Sequence, residues 1–421
     1  MARVATFVGA AVLWVVSGSL PATEAAGPVG AEAANPLFAL MPELRQAAAP
    51  TWVKAGLRLT FYSAAASVPG NPYDYTRDNK GDWADKNGRR WNRSDSPGPG
   101  GHGFTQVNVV ALDATTAVLD IRSYGFVNLT QGPILHSIAC HIGVPGAGAD
   151  YWVNPAALQG LAERRTVDVV VMRMPYTVEG RTYQAIRLQA NQPTGHVAAV
   201  YDLKTGVLLH SNSAVTTAAT TLPKDPQQGH TLQGSRTALV QTTFKSVRQL
   251  HVPWAAAAPP PWLATLARAD YQGSATVVIP GSPVIPLPAT MSARTTQRGP
   301  NWIRCTLTAA LTAPAGMPSA PNALDRVSGP AQFGGMFLPT GAMAALRAGQ
   351  TLDTDPHTRV TVTVAHVGPG PGGRNVVQVS EVGQGQRLDY FYDAASGMLV
   401  GYRDQNDHIR LVQQFQLVGT Q

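Results

Sequence analysis

One stretch of this chain occurs twice, and the repeat limits the folds open to it. Tyr201-Asp202-Leu203-Lys204-Thr205-Gly206-Val207-Leu208-Leu209 returns in diverged form as Tyr392-Asp393-Ala394-Ala395-Ser396-Gly397-Met398-Leu399-Val400. In both, apolar residues flank an Asp followed by Thr-Gly or Ser-Gly. Asp accepts hydrogen bonds from the backbone just ahead of it and Gly supplies a positive φ, so each copy predicts strand, tight turn, strand. Other matches follow in the same order. Pro50-Thr51-Trp52 leads to Pro69-Gly70 as Pro261-Trp262 leads to Pro280-Gly281. Pro155 to Leu158 with Leu161 resembles Pro339 to Met343 with Leu346, predicting one short helix that begins at a proline. Leu239 to Phe244 resembles Leu411 to Phe415, a closing strand. Matches kept in one order are the signature of a duplicated structural unit.

The residues around these matches favour strands. The chain has 421 residues, with 41 Gly and 33 Pro, and long amphipathic helical patterns are scarce. Alternation predicts strands over Phe104 to Leu112, Ala117 to Tyr124, Val167 to Met174, Thr358 to Val367 and Asn375 to Val382. The Gly-Pro clusters at Ser96 to Gly103 and Gly368 to Gly373 read as loops, as does the Thr-rich Ser211 to Gly234. The expected fold is therefore mainly β with a few short helices. It comprises two tandem units, each a curved antiparallel sheet with one short helix. The first unit spans 35–253 and carries an insertion at 71–103 that the second lacks. A Pro/Ala-rich linker at 254–262 leads to the second unit at 263–421.

The N-terminus reads as a targeting signal. Arg3 precedes an almost wholly apolar Ala5 to Val16, then Ser17, Gly18, Pro21 and small residues. That is the layout of a secretory signal peptide, placed at 1–26, and it predicts an exported chain. No second segment is long and apolar enough to span a membrane as a helix. The net charge is +7 but the basic residues are scattered, which argues against nucleic-acid binding and is compatible with anionic envelope components. Cys140 and Cys305 are the two cysteines. In an exported protein they are either a disulfide joining the two units or two separate buried thiols.

Candidate chemistry concentrates in the insertion. Asp78, Asp82, Asp85 and Asn87 place hard oxygen donors at short spacing beside Gly81 and Gly88, as a calcium loop does. The spacing departs from the helix-loop-helix calcium pattern, and neighbouring Lys and Arg balance the acids, so no cofactor is expected beyond that calcium candidate. Tyr73, Tyr75, Trp83 and Trp91 with His102 are candidate ligand-binding residues; aromatic and polar side chains together suit glycan- or protein-facing surfaces and equally a loop that packs on its own domain. No Gly-x-Ser-x-Gly, Ser-x-x-Lys or zinc-type His or Cys spacing is present, so no catalytic residue is assigned.

The two Tyr-Asp-x-x-Thr/Ser-Gly turns resemble those in the open barrels of periplasmic carriers of lipids and lipoproteins. That resemblance covers about nine residues per copy and implies an apolar ligand. The sequence thus predicts an exported, non-enzymatic binding or scaffold protein, its apolar or lipid-like ligand held in a sheet-lined cavity or an inter-repeat cleft. The alternatives are a secreted hydrolase with its site near 71–103 and an extracellular protein- or glycan-interaction module.

Overall fold

The computed structural model describes residues 36–45, 48–69, 75–77, 83–85, 101–126, 132–217, 220–221, 232–233, 236–277, 286–312, 322–408 and 410–421. The first unit is built from β1 (Leu57–Pro69), a small ribbon of β2 (Tyr75–Arg77) and β3 (Trp83–Asp85), then β4 (Gly101–Leu112), β5 (Ala117–Phe126), β6 (Pro133–Gly143), β7 (Arg164–Arg165), β8 (Val169–Val178), β9 (Arg181–Gln192), β10 (Gly195–Asp202), β11 (Leu208–Thr217), a second small ribbon of β12 (Thr220–Thr221) and β13 (Leu232–Gln233), and β14 (Arg236–Gln249). The second unit contains β15 (Arg268–Val277), β16 (Pro286–Arg298), β17 (Ile303–Leu311), β18 (Asn322–Ser328), β19 (Thr351–Thr354), β20 (Thr361–Pro369), β21 (Asn375–Gly383), β22 (Gln386–Asp393), β23 (Leu399–Asn406) and β24 (Leu411–Thr420). Among the described residues the α-helices are α1 (Pro36–Leu40), α2 (Pro155–Gly160) and α3 (Thr340–Met343).

Each unit is one ten-stranded antiparallel sheet. The orders are β6-β5-β4-β1-β14-β11-β10-β9-β8-β7 and β18-β17-β16-β15-β24-β23-β22-β21-β20-β19. In each, the first and last strands of the unit pair with one another. The sheet is therefore a meander turned back on itself, with a seam between β6 and β7 or between β18 and β19. The internal repeat is real at the level of single bonds. The Trp52 indole donates to the Thr205 carbonyl at 2.6 Å, and the Trp262 indole to the Ser396 carbonyl at 2.7 Å. Trp52 meets Trp152 edge-on at 6.3 Å, and Trp262 meets Phe337 edge-on at 6.2 Å.

The repeated turn works as its composition predicts. The Asp202 carboxylate accepts from Thr205 N and Oγ1, and the Asp393 carboxylate from Ser396 N and Oγ. Gly206 and Gly397 have φ of +75° and +74°. A Cβ at either would collide with the carbonyl oxygen of Val153 or Leu338 respectively. Those carbonyls belong to the segment that follows the fourth long strand of each unit. It crosses one end of the curled sheet, with Val153 N donating to Gly206 O and Leu338 N to Gly397 O. It carries Trp152 and Phe337 into the two cores. β-Bulges recur as well: β14 opposite Thr60/Phe61 matches β24 opposite Asp270/Tyr271, and β11 opposite Val200/Tyr201 matches β23 opposite Phe391/Tyr392.

Several boundaries differ from expectation. Val153 and Leu338 are equivalent, so Asn154 rather than Pro155 corresponds to Pro339. Pro155 lies in the first turn of α2 under an Asn154 cap, while Pro339 is itself the cap of α3. Ser211 to Thr217 is not loop but the continuation of β11, because Thr pairs well across strands. Gly101 to Gly103 opens β4, so His102 is a strand residue; Gly103 fits there because a side chain would strike the Tyr124 backbone. Leu250 and Val252, ahead of the expected linker start, and Trp254, its first residue, pack into the second core.

Each unit encloses a hydrophobic core. The first core includes Leu59, Phe61, Leu119, Trp152 and Tyr201, and the N-terminal segment adds Leu37, Met41 and Leu44. The second is built around Tyr271, Ile303, Leu338, Tyr390 and Tyr392. A third, smaller cluster joins the units: Val110, Val118 and Cys140 against Trp302 and Val327. Edge strand β18 lies against β5 and β6 there, so each covers an edge the other leaves open.

Candidate functional site

Strand alternation in the first unit makes the junction visible. Leu59, Phe61, Val107, Val109, Leu119 and Ile121 face the core. The alternating residues Arg58, Thr60, Gln106, Asn108, Asp120 and Arg122 face away from it, yet each is at most 6% exposed. A polar face is buried because the second unit docks on it. Burying charge is costly unless every charge is partnered, and most of these are. Arg122 bridges Asp120 at 2.8 Å and Glu381 of the second unit at 2.5 Å, and donates to the Phe333 carbonyl at 3.0 Å. Arg58 donates to Asn108 at 2.6 Å and to Asp355 at 3.3 Å. Arg248 grips Asp353 through two bonds of 2.6 and 2.8 Å and reaches Asp355 at 2.8 Å.

Asp355 anchors the second unit's side. It repeats the Asp-x-x-Thr turn, accepting from Thr358 N at 2.8 Å, Thr358 Oγ1 at 3.0 Å and His357 N at 3.1 Å. Burial raises its pKa, but Arg58, the Thr358 amide and Arg248 together outweigh that and hold the carboxyl down at about 2. The acid is ionised throughout the physiological range.

Two recesses flank this charged layer. The first is a crevice of about 270 Å³, counting its open mouth, between β5–β6 and β21–β22. Tyr124, Ile134, Leu135, Val360 and Leu388 make an apolar wall and Glu381 lines its polar end. Glu381 Oε2 is taken by Arg122, but Oε1 is buried without a partner among the described residues. The second is a half-buried aromatic wall on the outer face of β1, β4 and β5. The Tyr62 hydroxyl lies 3.0 Å from His102 Nδ1, and His102 stacks on Phe126 at 5.0 Å. Phe104 touches Tyr62, Phe126 and His357 at 5.9, 5.8 and 5.6 Å. His357 Nε2 in turn lies 2.8 Å from Ser246 Oγ.

No protein-family model matches this chain. No curated protein matches it either. Among solved structures it is similar to a protein of unknown function from the DUF3598 family of Nostoc punctiforme PCC 73102, at 9% identity over 86% of this chain and 96% of that one. The TM-score is 0.13, too low to carry an argument.

Of the residues singled out in the sequence, His102 lies in the aromatic wall. Tyr73, Trp91, Asp78, Asp82 and Asn87 lie outside the described residues. Tyr75 pairs with Asp85, and Trp83 with Arg77, in the β2–β3 ribbon. Among the described residues no group of three or more metal-ligating side chains converges. Cys140 and Cys305 are both free and buried, not a disulfide. Cys140 belongs to the inter-unit cluster while Cys305 packs in the second core, and burial pushes both thiols up to about 11. They are inert small hydrophobes. Among the described residues no helix is long and apolar enough to cross a membrane.

Sequence reasoning missed Tyr62, Phe104, Phe126, Ser246, His357 and Glu381. Each sits on a strand or tight turn; Tyr62, Phe104 and Phe126 meet within the first unit, and His357 reaches Phe104 and Ser246 only because the second unit docks. The available signal was polar residues at alternating positions of otherwise apolar strands, as in Arg58, Thr60, Gln106 and Asn108. Read alone, that pattern means a solvated face.

Proposed function

We propose that this is an exported binding protein whose ligand is seated in the inter-unit crevice. Export rests on the signal-like N-terminal segment. The crevice carries the binding reading: an apolar wall that ends on a buried carboxylate with one oxygen free of partners among the described residues. An orphaned buried acceptor costs on the order of 1–3 kcal/mol, and a ligand donor recovers it. The crevice's enclosed space is about 10 Å³, room for little more than one small polar group, so it suits only the tip of an amphipathic ligand: a hydroxyl or amine at the carboxylate, with the apolar body lying along the wall.

Native mass spectrometry of protein purified from the envelope fraction of its producing cells tests this. A bound amphiphile is expected on the wild type. It should be lost in Ile134→Trp, which fills the crevice, and kept in Val215→Trp, which alters an exposed strand position. Absence of any bound small molecule, or equal retention in both variants, overturns the proposal.

A further inference from the structure

The contact between Ser246 and His357 has the form of a nucleophile and its base. Ser246 stands on β14 beside the bulge at Lys245, which re-aims the side chains around it. Its Oγ is 2.8 Å from Nε2 of His357, within the range for proton transfer. The His357 backbone amide donates to Asp355 within the second unit, which anchors the turn that carries the ring. Its ring is kept neutral. Burial lowers its pKa, Lys245 and Arg248 lower it further, and Asp355 and Glu179 only partly oppose them. A neutral imidazole with Nδ1 protonated accepts the serine proton at Nε2.

The surroundings supply what such a pair needs. Thr60 lies directly across from Ser246 on β1, and its buried Oγ1 has no partner among the described residues. Arg248 is two residues along the same strand face, and its buried Nε–H is likewise unpartnered there. Tyr62 and Phe104 offer an apolar surface to an acyl group.

We propose that Ser246 and His357 form an inter-unit nucleophile–base pair that hydrolyses esters of small apolar acyl groups. Ser246 Oγ bonds to the ester carbonyl carbon and its proton passes to His357 Nε2. The ester C–O bond breaks and the alcohol leaves with that proton. Water then attacks the acyl-serine, giving one proton to His357, which returns it to Ser246 as the acid departs. The net reaction consumes one ester and one water and releases one acid and one alcohol. This goes beyond the binding reading and uses none of the crevice residues.

The test is covalent labelling of the full chain with a fluorophosphonate, mapped by peptide mass spectrometry. Labelling at Ser246 is expected, falling at least about 100-fold in His357→Gln, the scale of general-base assistance. Turnover of p-nitrophenyl butyrate should vanish in Ser246→Ala and persist in Val215→Trp, at an exposed strand position outside both sites. Because His357→Gln also touches the docking surface, Ser246→Cys gives a readout with His357 intact. Its thiol should react with iodoacetamide along a pH profile that inflects well below the ordinary cysteine value of about 8.5. Failure of the probe to modify Ser246 above the heat-unfolded chain, or a Ser246→Cys profile at the ordinary value, overturns the proposal.

Discussion

Asp404 is a buried acid whose removal should stabilise the protein, increasingly so as pH rises from about 4 to 7. It lies on β23, facing Leu388 on one side and Gln413 on the other, and is 5% exposed. Its Oδ1 has no partner among the described residues. Burial pushes its pKa up to about 7, against smaller downward pulls from a Gln386 hydrogen bond and Arg326. The ordinary value is 3.8. Between roughly pH 4 and pH 7 the folded chain therefore holds a proton that the unfolded chain has released. Stability then falls as pH rises through that window, by a total on the order of 4 kcal/mol at about 1.36 kcal/mol per unit. Asp404→Asn removes the titration while keeping the shape. Urea unfolding of both proteins from pH 4 to pH 8 measures it. The variant should match the wild type within about 1 kcal/mol at pH 4 and exceed it by roughly 2–4 kcal/mol at pH 8. Parallel stability curves across the range refute the reasoning.

The opposite sign is expected at Asp355, whose pKa is held down at about 2: its contribution is full above about pH 4 and is lost as pH falls toward 2. Asp355→Asn should cost roughly 3–5 kcal/mol at pH 7, because it strips a buried charge from Arg58 and Arg248, and should cost progressively less in acid; denaturant melts at pH 7 and pH 3 compare the two. Gly206→Ala and Gly397→Ala should each cost more than about 2 kcal/mol, since the new Cβ meets a backbone carbonyl in a left-handed turn; thermal unfolding reads this, and a neutral result excludes the turn geometry. Trp52→Phe and Trp262→Phe each lose one indole hydrogen bond and should be similar to one another, at roughly 1–2 kcal/mol by the same melts.

What could be read from the sequence was whatever a short stretch determines by itself. Asp202 to Gly206 and Asp393 to Gly397 close their turns through bonds among five consecutive residues, so composition alone specifies them. The long strands were legible because their inward residues alternate. Even where the pairing was misaligned the element survived. Phe244 sits opposite Phe61, and in the second unit it is Leu417, not Phe415, that sits opposite the equivalent Tyr271. A slip of two residues leaves the same face inward, so the strand was recognised despite the wrong register. His102 shows the reverse case. Flanking glycines signal a loop, but at Gly103 the absent side chain makes room for a neighbouring strand.

The junction was illegible for a stronger reason. A strand such as β1 carries an apolar face and a polar face, and a single unit would leave the polar one in water. Duplication changes the environment of that face without changing its local pattern. Once the second unit docks, Arg58, Arg122 and Arg248 must find acids, and they find Asp353, Asp355 and Glu381 across the junction. The pairing leaves a remainder: Thr60 Oγ1, Gln106 Oε1, Arg248 Nε and Glu381 Oε1 are buried with no partner among the described residues. In a purely structural interface such atoms are a standing cost. The repeat therefore does more than supply two like sheets: docked together, they create one charged junction that neither copy has alone.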